Sequence, residues 1–158
     1  MDNLENLFEL NGPEEYLGEM ATIISDRKIG IRIQVNPDPN RKGVPYFKAF
    51  NNSKPKERET SVARLHFLDN GIEHHKDGFL DWKITNSDIK LIKSVLESNP
   101  KNSDRTVWDV AKWKWNLEYR FFDDDDEDDY FDGKFDDQYK DHPSYVPSTT
   151  KIPETWKE

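Results

Sequence analysis

Ile29-Gly30-Ile31-Arg32-Ile33-Gln34-Val35 is the stretch that decides how this chain folds. Apolar side chains occupy every second position. Successive strand residues point to opposite faces, so this pattern predicts a half-buried β-strand with the Ile and Val residues inward and Arg32 and Gln34 outward. Downstream, Asn36-Pro37-Asp38-Pro39-Asn40 ends the strand and Gly43 extends the turn. Tyr46, Phe47, Ala49 and Phe50, entered through Pro45, predict a second strand. Residues 51–60 form a polar loop. Val62, Arg64 and His66 alternate with Ala63, Leu65 and Phe67 to give a third strand. Asp69-Asn70-Gly71 is a hairpin turn, and Ile72 opens a fourth strand that resumes near Phe79.

The periodicity then changes. Thr85-Asn86-Ser87-Asp88 offers N-caps, and Ile89, Ile92, Val95 and Leu96 follow at helical spacing until Asn99-Pro100 stops the run. Ser103 or Asp104 is expected to cap another helix. Val107, Trp108, Ala111 and Trp115 form its main stripe, and Val110, Trp113 and Leu117 form a second, so two covered faces are expected before the helix ends near Arg120. Upstream, Leu4, Leu7 and Phe8 suit a short amphipathic helix, and Pro13-Glu14-Glu15 suits the start of another that runs to about Met20. Strands followed by helices predict an α+β fold: a small antiparallel sheet of about four strands with two C-terminal helices on one face. The expected organisation is an acidic helical leader over residues 1–19, a core domain over 20–120, and an extended tail over 121–158.

The chain of 158 residues holds 35% charged and 13% aromatic residues, a polar average with enough rings to require a packed part. It contains no cysteine, which excludes disulfides, thiolate metal sites and a cysteine nucleophile. The N-terminal residues lack the basic and apolar regions of a signal peptide, and no apolar run reaches the roughly 18 residues of a membrane span. A soluble protein of the cytoplasm is the expectation. Its charge is segregated. Residues 1–26 carry seven acids and no Lys or Arg, residues 27–122 carry nineteen bases and twelve acids, and residues 123–141 carry eleven acids and two Lys. A basic core between two acidic flanks concerns partners more than fold.

Met20-Ala21-Thr22-Ile23, Gly30-Ile31-Arg32-Ile33, Pro45-Tyr46-Phe47-Lys48-Ala49, Asn70-Gly71, Gly78-Phe79-Leu80 and Trp108 together resemble a small bacterial domain family. Its members open on Met-Pro-Thr-Ile and carry a Pro-His-Phe-His-Ala motif. The resemblance spans roughly residues 20–115 and implies the same strand-then-helix order. Tyr46 and Lys48 stand where that family has its two His. The family brings no established reaction, and residues 1–19 and 120–158 read as additions to a common module. Function is often carried by such additions.

The sharpest of them is Phe122 followed by Asp123, Asp124, Asp125, Asp126, Glu127, Asp128 and Asp129, then Tyr130, Phe131, Phe135, Asp136, Asp137 and Tyr139. A bare acidic run is usually a solvated tail. Rings flanked by charge are instead what a binding segment uses, with pockets filled by the rings and approach steered by the carboxylates. Extended, such carboxylates lie about 3.3 Å apart, close to the roughly 3.4 Å between phosphates along one DNA strand. These residues are the predicted partner-binding set. The expected partner is a basic nucleic-acid-handling protein, with no cofactor, no metal and no catalysis. In style the chain resembles phage counter-defence proteins, including anti-CRISPR inhibitors of CRISPR effector nucleases, which implies a bacterial host cell. A second reading is an adaptor or nucleic-acid-binding module autoinhibited by its acidic tail. A third is a metal-dependent nuclease built on His66, His74 and scattered Asp residues, although no metal, phosphate-loop or nucleophile motif accompanies them.

Two further segments have competing readings. Lys112-Trp113-Lys114-Trp115 suggests base stacking, but helix neighbours about 100° apart make no single platform, so core packing is expected for Trp108 and Trp115. Residues 142–158 carry three Pro, which forbid a continuous helix. Their Tyr145, Val146, Ile152 and Trp156 predict a segment that lies extended along the chain's own core or, as the lesser alternative, along a partner.

Overall fold

A computed structural model of the chain describes residues 21–26, 30–35, 44–51, 62–74, 84–99 and 103–157. The expected leader lies outside the described residues, as does the resumption of the fourth strand near Phe79.

The architecture is α+β. Strands β1 (Ala21–Asp26), β2 (Ile31–Val35), β3 (Tyr46–Asn51), β4 (Val62–His66) and β5 (Ile72–His74) form one antiparallel sheet in the order β1-β2-β3-β4-β5. Four coincide with the predicted strands. The fifth, β1, is the addition: its Thr-Ile-Ile run is β-branched, but it lacks the alternation that announced β2. Register places Ile33 opposite Ala49, Ala49 opposite Ala63, Phe47 opposite Leu65 and Leu65 opposite Ile72, so one face is continuously apolar. Turn residues join β4 to β5 as predicted. The His66 amide donates to the Gly71 carbonyl at 3.0 Å, and the Asp69 carboxylate accepts the Gly71 amide at 2.7 Å. A Cβ on Gly71 would lie 2.5 Å from His66 Nδ1 and 2.8 Å from Asp69 Oδ1, so a larger residue here would push both side chains out of this turn.

Helices α1 (Asn86–Glu97) and α2 (Val107–Glu118) cover the apolar face. Thr85 and Asp88 close a capping box on α1. The cap of α2 is Thr106, in a box with Asp109, and not the expected Ser103 or Asp104. A Thr-x-x-Asp pair satisfies two orphan amides at once, whereas the Ser103 hydroxyl accepts from the Arg105 amide, ahead of the helix. The predicted main stripe is the buried one: Val107, Trp108, Ala111 and Trp115 pack on Ile33, Phe47, Leu65 and Phe67, with Trp108 5.2 Å from Phe67 and 6.0 Å from Phe47.

Helix α2 ends in a Schellman turn, the Arg120 amide donating to Leu117 O at 2.9 Å and the Phe121 amide to Asn116 O at 3.2 Å. The left-handed residue is Arg120, at φ 60°, where glycine is the usual choice. This reversal turns the chain back beneath the second stripe of α2. A 3-10 turn (Asp124–Asp126), helix α3 (Glu127–Phe131) and helix α4 (Asp136–Tyr139) follow. Residues 124–139 are therefore short helical turns and not the expected extended segment. Acidic residues suit the positive end of a helix, and the rings between them supply an apolar face to bury. Gly133, at φ 84°, closes α3.

Candidate functional site

Two layers of α2 organise the C-terminal third of the chain. On its outer stripe, Trp113 stacks on Phe122 at 4.6 Å and 7°, and Phe122 meets Tyr130 at 5.2 Å and Phe135 at 5.0 Å. Phe121 meets Tyr139 at 4.9 Å and Tyr145 at 5.3 Å. Phe122, Tyr130 and Tyr145 are buried at the centre, with Trp113, Leu117, Phe121, Phe131, Phe135 and Tyr139 around them.

On the face of α2 that includes its sheet-packed Trp residues, polar atoms hold the strap of residues 144–157. Trp108 Nε1 donates to Thr150 O at 2.8 Å, Lys112 Nζ to Ser148 O at 2.7 Å, and Trp115 Nε1 to Ser144 O at 2.8 Å. Asn116 pairs with Val146 in both directions, at 2.8 and 2.9 Å. Beyond α2, Lys93 Nζ donates to Glu154 O, Trp156 Nε1 to His66 O, and Lys157 bridges the edge of the sheet at Gly71. The strap packs on its own core, as expected. It does so through carbonyls, the groups that three Pro and an irregular backbone leave without partners of their own.

This arrangement assigns Lys112-Trp113-Lys114-Trp115 to structure. Lys112 is 3% exposed among strap carbonyls and lies 3.2 Å from Asp109; burial lowers its pKa, and Asp109 opposes that shift. Trp115 is core, Trp113 stacks on Phe122, and Lys114 pairs with Glu118 at 3.0 Å.

The predicted binding residues divide into three groups. Asp123, Asp124, Asp125, Glu127, Asp128 and Asp137 are exposed, and Asp126 and Asp129 are half-buried. These carboxylates form an acidic ridge over the ring cluster. Within the run 123–129, and among the described residues, only Asp128 and Asp129 approach a cation: Arg105 at 4.0 Å and Lys134 at 2.8 Å. Phe131, Phe135 and Tyr139 are half-buried and border the ridge. Phe122, Tyr130 and Asp136 point inward, contrary to expectation. Tyr130 is fully buried, and its hydroxyl donates to Val146 O at 2.9 Å. Asp136 accepts from the Tyr145 hydroxyl at 2.6 Å, the Ser148 hydroxyl at 2.6 Å and the Ser148 amide at 3.0 Å. Neither ring has a surface left for a partner, because a ring gains more from apolar contact than from water when an apolar stripe lies within reach. Asp136 is held by its own fold. Burial, aided by the charge of Asp136, pushes the Tyr130 and Tyr145 hydroxyls well above their ordinary 10.0.

Sequence reasoning missed Arg105. Its guanidinium lies 3.7 Å over the Phe131 ring and anchors the ridge to the start of α2. The acidic ridge itself sits beyond α2, whereas Arg32, Lys48 and Arg64 stand on the sheet face turned away from the helices, so the ridge does not lie over them.

Of the proposed nuclease residues, His66 Nδ1 lies 2.7 Å from Asp69 and Nε2 lies 3.5 Å from Glu73; the side chain of His74 is outside the described residues. Among the described residues no group of three His, Asp or Glu is placed to hold a metal ion, and no helix is long and apolar enough to cross a membrane.

No protein-family model, no curated protein and no solved structure matches the chain.

Proposed function

We propose that the chain is a non-enzymatic inhibitor that binds a basic, nucleic-acid-handling protein through the ridge Asp123–Asp129, covering the surface where phosphates would lie. One observation carries the reading: seven consecutive carboxylates are displayed on a folded, ring-stapled base and not on a loose tail. Holding them in place removes part of the ordering entropy that a disordered acidic segment loses on binding. The helical turns also change the charge spacing. A rise of about 1.5–2.0 Å per residue is close to the roughly 1.7 Å per charge of duplex DNA, so the better comparison is with a duplex and not with a single strand. Phe131, Phe135 and Tyr139 at the border supply apolar contact beside the charge. A CRISPR effector nuclease in the cytoplasm of a bacterial host is a partner of this kind.

Titration of the purified chain against a purified CRISPR effector nuclease at low and high salt tests the proposal. Binding is expected to weaken steeply with salt. A variant carrying Asp124→Asn, Asp125→Asn, Glu127→Gln and Asp128→Asn should bind about tenfold or more weakly while keeping its thermal stability. Equal affinity of variant and parent at low salt refutes a role for the ridge.

A further inference from the structure

The sheet has a second face, and its chemistry is unlike that of the first. Across neighbouring strands, Gln34 stands opposite Lys48, Lys48 opposite Arg64, and Arg64 opposite Glu73. One row along, Arg32 stands opposite Phe50 and lies over its ring at 4.2 Å, and Arg64 lies 5.2 Å from the ring of Tyr46. Three cations thus gather on adjoining positions. Like charges directly opposite each other, as Lys48 and Arg64 are, destabilise a sheet unless negative charge lies over them. The buried Nε of Arg64 has no acceptor among the described residues. Helices α1 and α2 pack on the other face, and Phe50 belongs to neither described core. Yet on this cationic face Gln34 is only 1% exposed and Phe50 only 6%.

We infer that the cationic face of the sheet is the docking surface of the chain's own acidic leader, residues 1–19. Charge selects the leader. It carries Asp2, Glu5, Glu9, Glu14, Glu15 and Glu19 with no Lys or Arg, whereas the internal segments 36–43, 52–61 and 75–83 each hold at least as many Lys and Arg as acids. The ridge Asp123–Asp129 is committed to the far side of α2. Reach is sufficient. The leader runs directly into β1, the edge strand beside β2. From β1 to β4 is three strand spacings, about 14 Å, and 19 residues cover about 28 Å even if wholly helical. Leu4, Leu7 and Phe8 give the leader an apolar side to set against Phe50 and the stems of the cations. In the intact chain the leader then occupies a face that would otherwise attract polyanions.

Zero-length carbodiimide cross-linking of the intact full-length chain, read by peptide mass spectrometry, tests this without any substitution. Lys48 should be joined within one chain to a leader carboxylate, and the link should fade at high salt. Lys48 joined to Asp123–Asp129 of a second copy, joined to Glu73 alone, or left unlinked overturns the inference. A full-length variant with the six leader acids changed to their amides adds a second measurement, with inorganic polyphosphate as the probe. It should bind about tenfold more tightly than the parent, and Lys48→Gln with Arg64→Gln in that background should abolish the gain. Equal binding by variant and parent, or a gain that survives loss of the two cations, overturns the inference. If the variant does not fold, the cross-link decides.

Discussion

The two hydrophobic clusters of this chain are built on opposite sides of one helix by different means. The sheet-side cluster mixes Ile, Val, Leu and Ala at regular spacing with six large rings, and each of its strands and helices has its own backbone ladder. The outer cluster is almost wholly aromatic and rests on helical pieces of three to five residues. Such pieces are far below the dozen or more residues at which isolated helices become stable in water. Tertiary contacts hold the outer cluster: Tyr130 to Val146 O, Tyr139 to Phe121 O, and Asp136 to Tyr145 and Ser148. An acidic segment that would repel itself in isolation is thus folded by rings and by hydrogen bonds to the strap that α2 holds in place. The difference teaches that the ridge inherits its order from a helix whose own sequence looks like ordinary core.

Substitutions that separate the two clusters sharpen this comparison. Trp115→Ala removes a sheet-side ring and the donor to Ser144 O, so it should cost about 4 kcal/mol. Both clusters should then unfold in one urea transition, monitored by circular dichroism and tryptophan fluorescence; two resolved transitions would show that they are independent. Tyr130→Ala should cost about 3 kcal/mol and act on one side only, with amide exchange rising in residues 123–139 before it rises in β2–β4. Uniform exchange would break the distinction.

Alkali should strike the outer cluster selectively. The raised pKa values of Tyr130 and Tyr145 mean that the folded state keeps protons which the unfolded state releases above their ordinary value of 10.0. Their contribution is whole below pH 10 and is lost as pH climbs toward the folded values. Tyr130 alone should remove about 1.4 kcal/mol for each pH unit above 10. Urea midpoints measured along a pH series should fall accordingly, and the double change Tyr130→Phe with Tyr145→Phe should flatten that dependence. The smallest effect is expected at the joint between the two regions. Arg120→Gly relieves a left-handed residue and should raise stability by up to about 1 kcal/mol in thermal denaturation, with no effect if the Schellman turn is not limiting.

Some of this was legible along the chain. Ile31, Ile33 and Val35 at period two, and Ile89, Ile92, Val95 and Leu96 at helical spacing, predicted elements that the structure contains. Strand β1 escaped because Thr22-Ile23-Ile24 carries composition without alternation. For the candidate site, the carboxylates 123–129 were visible as an acidic run, and Trp113 and Leu117 of the second stripe already announced a covered outer face, whereas Val110, read with them, joins the sheet-side cluster. The inward turn of Phe122, Tyr130 and Asp136 was not visible, nor was the part played by Arg105.

By itself, the sequence determined the α+β layout, the segregation of charge and the apolar anchors Tyr145, Val146 and Trp156 of the strap, because each follows from side-chain period, charge sign or apolar content within a few neighbouring positions. Tertiary structure alone decided which rings of the acidic segment are foundation and which are surface. That choice depends on Trp113, Asn116 and Val146, many residues away, and on backbone carbonyls whose availability no local pattern encodes.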